Sequence, residues 1–138
     1  MTLEHFLVNC HRMRKRVLIV DDHSDTRTIC RELLTHFGYA VEEAENGRAA
    51  LETVGTSVPD LVLLDFLMPE RDGLQILTEL RSRPETATTP VVLYTAAATR
   101  LAELYEHPHV TRVLLKPVQA AQMLRMVQEL IGPAEITA

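Results

Sequence analysis

Five polar residues, Asp21, Asp22, Asp65, Thr95 and Lys116, stand directly after short apolar runs in this 138-residue chain. The clearest case is the stretch from Asp60 to Gly73, which reads Asp-Leu-Val-Leu-Leu-Asp-Phe-Leu-Met-Pro-Glu-Arg-Asp-Gly. Leu61 to Leu64 run unbroken into Asp65. A continuous apolar run bounded by turn residues suits a strand buried on both faces, as in a parallel sheet. Such a strand has room for a carboxylate only at its end, where it opens to a loop. Pro69 cannot continue a ladder and Gly73 tolerates unusual dihedrals, so the chain is expected to turn here. Asp65 is then placed at the C-terminal lip of a central strand, where open α/β sheets bind ligands. An Asp that only caps the following turn is the plainer alternative.

The other polar residues follow the same pattern. Val17–Val20 ends in Asp21 and Asp22, Val91–Tyr94 ends in Thr95, and Val113–Leu115 ends in Lys116-Pro117. In a parallel sheet all these ends lie on one edge. Three carboxylates brought together repel and raise one another's pKa. A hard divalent cation among them relieves that, and oxygen-only ligands favour magnesium. Lys116 adds a point charge and Thr95 a hydroxyl donor. A cation, a lysine and a hydroxyl around one carboxylate would stabilise phosphoryl transfer to that carboxylate. The chain uses arginine twelve times and lysine only at Lys15 and Lys116. A lysine between Leu115 and Pro117 therefore suggests a site that needs a compact charge on a flexible stem, with chance as the alternative.

The elements that must carry these residues alternate. After the first strand, Ser24 or Asp25 can cap a helix whose apolar stripe is Cys30, Leu33, Leu34 and Phe37, ending at Gly38. Tyr39–Glu43 is a more polar strand, expected at an edge. Asn46-Gly47 opens a helix with Ala50, Leu51 and Val54 inward, and Pro59 leads into the Asp65 strand. Leu74, Ile76, Leu77 and Leu80 mark a third helix, and Leu101, Leu104 and Tyr105 a short fourth one. The last helix carries Ala120, Leu124, Val127 and Ile131 as its core stripe and ends at Gly132-Pro133. Met123, Met126 and Leu130 widen that stripe, either as core or as a docking surface. Five successive strand–helix units imply a parallel sheet covered on both faces. One domain over residues 16–131 is expected, with an extension at 1–15 and a tail at 132–138. Leu3, Phe6, Leu7 and Cys10 fall at helical spacing in the extension, and translation from Met13 is an equal alternative.

Apolar content of 46% with 24% charged residues is that of an ordinary soluble protein, and no run is long enough to span a membrane. The N-terminus lacks the pattern of a secretory signal, and Cys10 and Cys30 make no disulfide framework. These features predict a cytoplasmic protein. Residues 1–16 hold Arg12, Arg14, Lys15 and Arg16 against Glu4, whereas the remainder carries 10 basic and 18 acidic groups. So acidic a body argues against direct nucleic-acid binding.

Asp21-Asp22 after a Val-Leu-Ile-Val strand, Asp65 followed by Met68-Pro69 and Asp72-Gly73, Thr95 before two alanines, and Lys116-Pro117 together resemble the receiver domain of two-component response regulators. The resemblance covers about residues 16 to 131. It implies a flavodoxin-like (βα)5 fold, a doubly wound parallel five-stranded sheet. It further implies that Asp65 is the phosphoacceptor for a sensor histidine kinase or histidine phosphotransfer protein. Asp22 and Asp65 would ligate Mg2+ directly, Asp21 through water, with the backbone carbonyl of Leu67 completing the protein ligands. Thr95 would be the switch hydroxyl and Lys116 would pair with the phosphoryl group. A downstream protein would dock through the fourth and fifth helices, a face through which receivers also form homodimers. The protein would be a signalling receiver rather than an enzyme, catalysing only its own phosphorylation and dephosphorylation.

Two features depart from this pattern or refine it. Val113 stands three before Lys116, where the family usually carries an aromatic residue, so coupling to the output face differs here. A module that keeps the fold and signals without phosphate is the alternative function. A haloacid-dehalogenase-type phosphatase would need an acid two residues after the nucleophile, where this chain has Leu67. The residues two after Asp65 and Thr95 are Leu67 and Ala97, neither able to hold a water, which predicts a slowly hydrolysed phospho-form, although the small Ala97 cuts the other way by leaving solvent an open path.

Overall fold

The computed structural model of the chain describes residues 14–68, 73–96 and 98–134. The expectations placed on Leu3, Phe6, Leu7, Cys10, Pro69, Asp72 and Ala97 lie outside the described residues.

Five parallel strands, β1 (Arg16–Val20), β2 (Ala40–Ala44), β3 (Leu61–Asp65), β4 (Val91–Thr95) and β5 (Arg112–Leu115), form one sheet in the order β2-β1-β3-β4-β5. Helices α1 (Ser24–His36), α2 (Gly47–Thr56), α3 (Gly73–Arg81), α4 (Leu101–Glu106) and α5 (Ala120–Ile131) connect or follow the strands, and a 3-10 turn at Ala98–Arg100 leads into α4. β1 pairs with both β2 and β3, so the winding direction reverses between β1 and β3. Open α/β sheets leave a crevice at such a reversal, outside the carboxyl ends of the strands.

Side-chain alternation along the strands builds two cores. Val17, Ile19, Leu61, Leu63, Val92 and Tyr94 pack with Cys30 and Leu34 of α1 and Met123, Met126 and Val127 of α5. Leu18, Val20, Val62, Leu64, Val91 and Leu93 pack with Ala50, Val54, Ile76, Leu77, Leu80 and Leu104 on the opposite face. Every residue of β3 and β4 is buried, as an unbroken apolar run requires, while β2 at the edge is mostly half-buried.

Helix details depart from expectation in three places. The N-cap of α1 is His23, and neither Ser24 nor Asp25 caps it, because the chain turns one residue earlier to bring His23 N–H onto Asp21. Phe37 is the C-cap and 47% exposed, not core: Gly38, at φ +95°, turns the chain away and lets Tyr39 N–H reach Leu34 O at 3.1 Å. On α5 the buried stripe is Met123, Met126 and Val127, while Ala120 is exposed and Leu124 and Ile131 only half-buried. The methionines are therefore core, although Met126 also reaches the floor of a cleft lined by Tyr105, Arg112, Gln122 and Arg125. Asn46 does cap α2, its Oδ1 accepting from Ala49 N–H at 2.8 Å.

Candidate functional site

Register assembles the site. Val20 pairs with Leu64, and Asp65 with Tyr94, so the ends of β1, β3 and β4 come level. Asp65 is the last residue of β3 and 2% exposed. Its Oδ1 accepts from Leu67 N–H at 3.2 Å and its Oδ2 lies 3.3 Å from Lys116 Nζ. Gly73 proves necessary here for its missing side chain. A Cβ there would stand 3.0 Å from Phe66 Cα, 3.1 Å from Asp65 O and 3.2 Å from Leu93 Cδ2. Its N–H donates to Phe66 O at 2.9 Å, which brings the start of α3 against the backbone of the site.

Asp21 is fully buried and heavily held. Tyr94 donates its hydroxyl to Oδ2 at 2.7 Å, His23 N–H donates to Oδ1 at 2.8 Å, and Lys116 Nζ lies 3.4 Å from Oδ2. The His23 ring adds Nδ1 at 3.2 Å from Asp21 Oδ1 and 3.1 Å from Asp22 Oδ1. Arg27 on α1 donates from Nη1 to Asp21 O at 2.7 Å, fixing the main chain of the acidic loop. Lys116 Nζ rests 4.6 Å from the centre of the Tyr94 ring.

The two buried acids are driven apart. Burial pushes Asp65 up to about 6, with Asp21's charge adding to the rise and Lys116 and Leu67 N–H opposing it. Burial also pushes Asp21 up, but His23 N–H, the Tyr94 hydroxyl and Lys116 outweigh it and hold its carboxyl below the ordinary value. Mutual repulsion is thus the lesser cause of the rise at Asp65, and Asp21 shows no rise at all. Tyr94 is pushed well up by burial and by its bond to Asp21, so it stays a donor.

Of the residues singled out in the sequence, Asp21, Asp65 and Lys116 meet directly. Asp22 joins them: one ligand atom each from Asp21, Asp22, His23 and Asp65 lies within 4.8 Å of the others. Thr95 is fully buried at the end of β4, and its carbonyl accepts Lys116 N–H at 2.8 Å. Leu67 follows Asp65 with its side chain half exposed. A set of three carboxylates, closely spaced, suits a hard divalent cation. His23, Tyr94 and Arg27 join the site without belonging to the pattern of polar strand ends. Only His23 had a signal in the sequence, its place directly after the acid pair.

Beside Lys116 lies a largely apolar cavity of about 440 Å³, walled by Thr26, Ile29, Cys30 and Leu33 of α1 and by Pro117, Val118 and Met123. Ile29 stands on its rim, 67% exposed. Among the described residues no helix is long and apolar enough to cross a membrane.

The sheet order and the acidic edge at the β1/β3 reversal define a flavodoxin-like doubly wound α/β protein of the receiver type. Residues 17–128 match the model of the response regulator receiver domain, and the chain belongs to that family. Response regulator MprA of Mycolicibacterium vanbaalenii is 40% identical over 84 residues, which is 61% of this chain and 36% of MprA. The chain thus spans about a third of that relative's length. An uncharacterized 14.6 kDa protein of Leptolyngbya boryana is 34% identical over 116 residues, covering 82% of this chain and 87% of the relative. Among solved structures, response regulator TrrA of Thermotoga maritima, determined in complex with Mg(2+)-BeF, superposes with a TM-score of 0.75 at 30% identity. That match covers 84% of this chain and 98% of TrrA.

Proposed function

We propose that residues 16–131 form a receiver that takes a phosphoryl group onto Asp65 from a phosphohistidine of a sensor kinase or phosphotransfer protein. The observation that carries this is Lys116, whose ammonium lies between Asp21 and a buried carboxylate at the end of a central strand. An ionised oxygen of Asp65 would attack phosphorus. A P–O bond forms as the P–N bond breaks, and the donor imidazole leaves with that electron pair. Lys116 would face the phosphoryl oxygens from its present place, with the Thr95 hydroxyl as a further donor from the same sheet edge. Asp22, Asp65 and the Leu67 carbonyl would hold Mg2+ directly and Asp21 through water. The cation, when bound, neutralises charge on the phosphoryl oxygens. The complex of TrrA with Mg(2+)-BeF supports this in a relative.

The donor protein is proposed to approach over the rim of the apolar cavity, where Ile29 is exposed. A cleft of about 240 Å³ between Tyr105, Arg112, Val113, Gln122 and Arg125 lies on the face of α4, β5 and α5. A downstream protein is proposed to dock there, in the cytoplasm. The test is incubation with Mg2+ and acetyl phosphate followed by intact mass. One phosphoryl group per chain is expected, and none on Asp65→Asn. Labelling of that variant to the same extent would remove Asp65 from its role.

A further inference from the structure

We propose that Arg27 of α1 and Glu43 of β2 are positioning residues for the cation, acting through the peptide plane that joins Asp21 to Asp22. This rests on the acidic cluster being a cation site, as proposed above. That peptide unit is planar, so a hold on its oxygen limits the directions in which both acids leave the chain. The oxygen is Asp21 O, and it accepts Arg27 Nη1 at 2.7 Å. Asp21 N–H donates to Ala44 O at 3.1 Å. Arg27 Nε, buried without a hydrogen bond, lies 3.4 Å from Glu43 Oε1. The end of β2 therefore holds the acidic loop twice, directly through Ala44 and through Arg27 by way of Glu43. The Asp22 carboxylate meets the exposed His23 ring, so its direction depends on the main chain beneath it.

Charge explains why Glu43 is needed. The Arg27 side chain is only 15% exposed, and a guanidinium so covered requires a counter-ion. Glu43 supplies it with one oxygen, while Arg31 Nη1 holds the other oxygen at 2.7 Å. The guanidinium fork addresses Asp21 O and Glu43 from different nitrogens, which a single ammonium could not do. Without the charge of Glu43, Arg27 is a covered cation beside the acids, free to turn from a main-chain oxygen to a carboxylate that the metal needs. Glu42, the neighbour of Glu43, has other partners, Arg16 and Ser57, as alternation along a strand requires.

The experiment reads Mg2+ affinity of the full chain from the rise of its melting midpoint with Mg2+, beside the Mg2+ concentration that half-saturates labelling by acetyl phosphate. Arg27→Gln and Glu43→Gln are each expected to weaken Mg2+ binding about tenfold, with the labelling rate at saturating Mg2+ falling far less. Charge alone gives the opposite sign at Arg27, since that variant removes a positive charge from beside a cation site. The double variant should bind no more weakly than Arg27→Gln, because Glu43 acts through Arg27. Glu42→Gln removes an equal charge one residue away and should keep the parent's affinity. Where Arg27→Gln does not fold, the contrast between Glu43→Gln and Glu42→Gln carries the test. Parent-like or tighter binding in Arg27→Gln or Glu43→Gln, additive losses in the double variant, or an equal loss in Glu42→Gln would overturn the positioning role and leave the cation site standing. Failure of the parent to bind Mg2+ would overturn both together.

Discussion

Tyr94 donates its hydroxyl to Oδ2 of Asp21 at 2.7 Å although β3 lies between their strands. Tyr94 pairs in register with Asp65, so the phenol reaches past the end of β3 to the acidic loop after β1. The same ring supports Lys116 Nζ on its face at 4.6 Å. One buried side chain therefore fixes an acid of the site through its edge and the lysine through its face. Nothing in its sequence position, one residue before Thr95, announces this.

Tyr94→Phe keeps the ring and removes the hydroxyl. Asp21 then loses a donor in a buried setting, and hydrogen bonds to charged groups contribute about 1.5–3 kcal/mol. The variant is expected to lose about 1–2 kcal/mol in urea unfolding at neutral pH and to bind Mg2+ more weakly. Lys116 keeps its ring contact, so labelling by acetyl phosphate at saturating Mg2+ should persist. A variant as stable as the parent, with unchanged Mg2+ affinity, would show that the bond is incidental.

Asp65 titrates in the opposite sense to most native carboxylates. Its pKa is raised from 3.8 to about 6 in the folded state, chiefly by burial. Between those values the native state binds more protons than the unfolded one, so stability falls as pH rises through that window. At neutral pH the ionised group costs up to about 3 kcal/mol by that shift. In metal-free protein Asp65→Asn should therefore be more stable at pH 7, by less than that figure because the Lys116 pair is lost as well. The parent's decline in stability from pH 4 to 6 should flatten in the variant. Parallel pH profiles for the two proteins would exclude Asp65 as its source.

The strands were legible because β1, β3, β4 and β5 are apolar runs of three or four residues, each closed by a polar residue. Their polar ends needed only the parallel arrangement to become neighbours. Helix faces were less legible. On α5 the expected stripe of Ala120, Leu124, Val127 and Ile131 buries only Val127 fully, beside Met123 and Met126, while Leu124 and Ile131 pack half-buried against the core and Ala120 is exposed. Periodicity gives a spacing but not a phase when both faces are apolar. The phase is set by how α5 packs against α1 and the sheet around β3. Local pattern makes Gly73 a turn glycine, whereas the observed need is the approach of α3 to Asp65 O, which no local pattern records.

Ile29 offers a separate test of how the donor protein approaches. It is 67% exposed on the rim of the cavity beside Lys116, while its neighbour Cys30 is buried. A charge at Ile29 leaves the core and the acids untouched. Ile29→Glu is expected to cut phosphoryl transfer from a protein donor by tenfold or more, since a buried apolar anchor at an interface is worth about 2 kcal/mol. Labelling by acetyl phosphate, which needs no protein surface, should not change. Equal loss with both donors would place the defect in the chemistry, and no loss with either would remove this face from donor docking.

The lifetime of the phosphoryl group depends on a water placed opposite the Asp65–phosphorus bond. Positioning such a water is worth several kcal/mol, and it needs a side chain that can hold it. Leu67 cannot hydrogen-bond, and its half-exposed side chain stands two residues past Asp65 at the mouth of the site. Its backbone N–H is already directed to Asp65 Oδ1 at 3.2 Å. Attack is thus unassisted from this position, and the phospho-form is expected to decay slowly. Leu67→Asn brings an amide within reach of the incoming water and removes apolar cover, while the backbone bond to Asp65 is kept. After loading with acetyl phosphate and removal of the donor, the variant should lose its phosphoryl group several-fold faster than the parent. Decay at the parent's rate would show that Leu67 does not protect the bond.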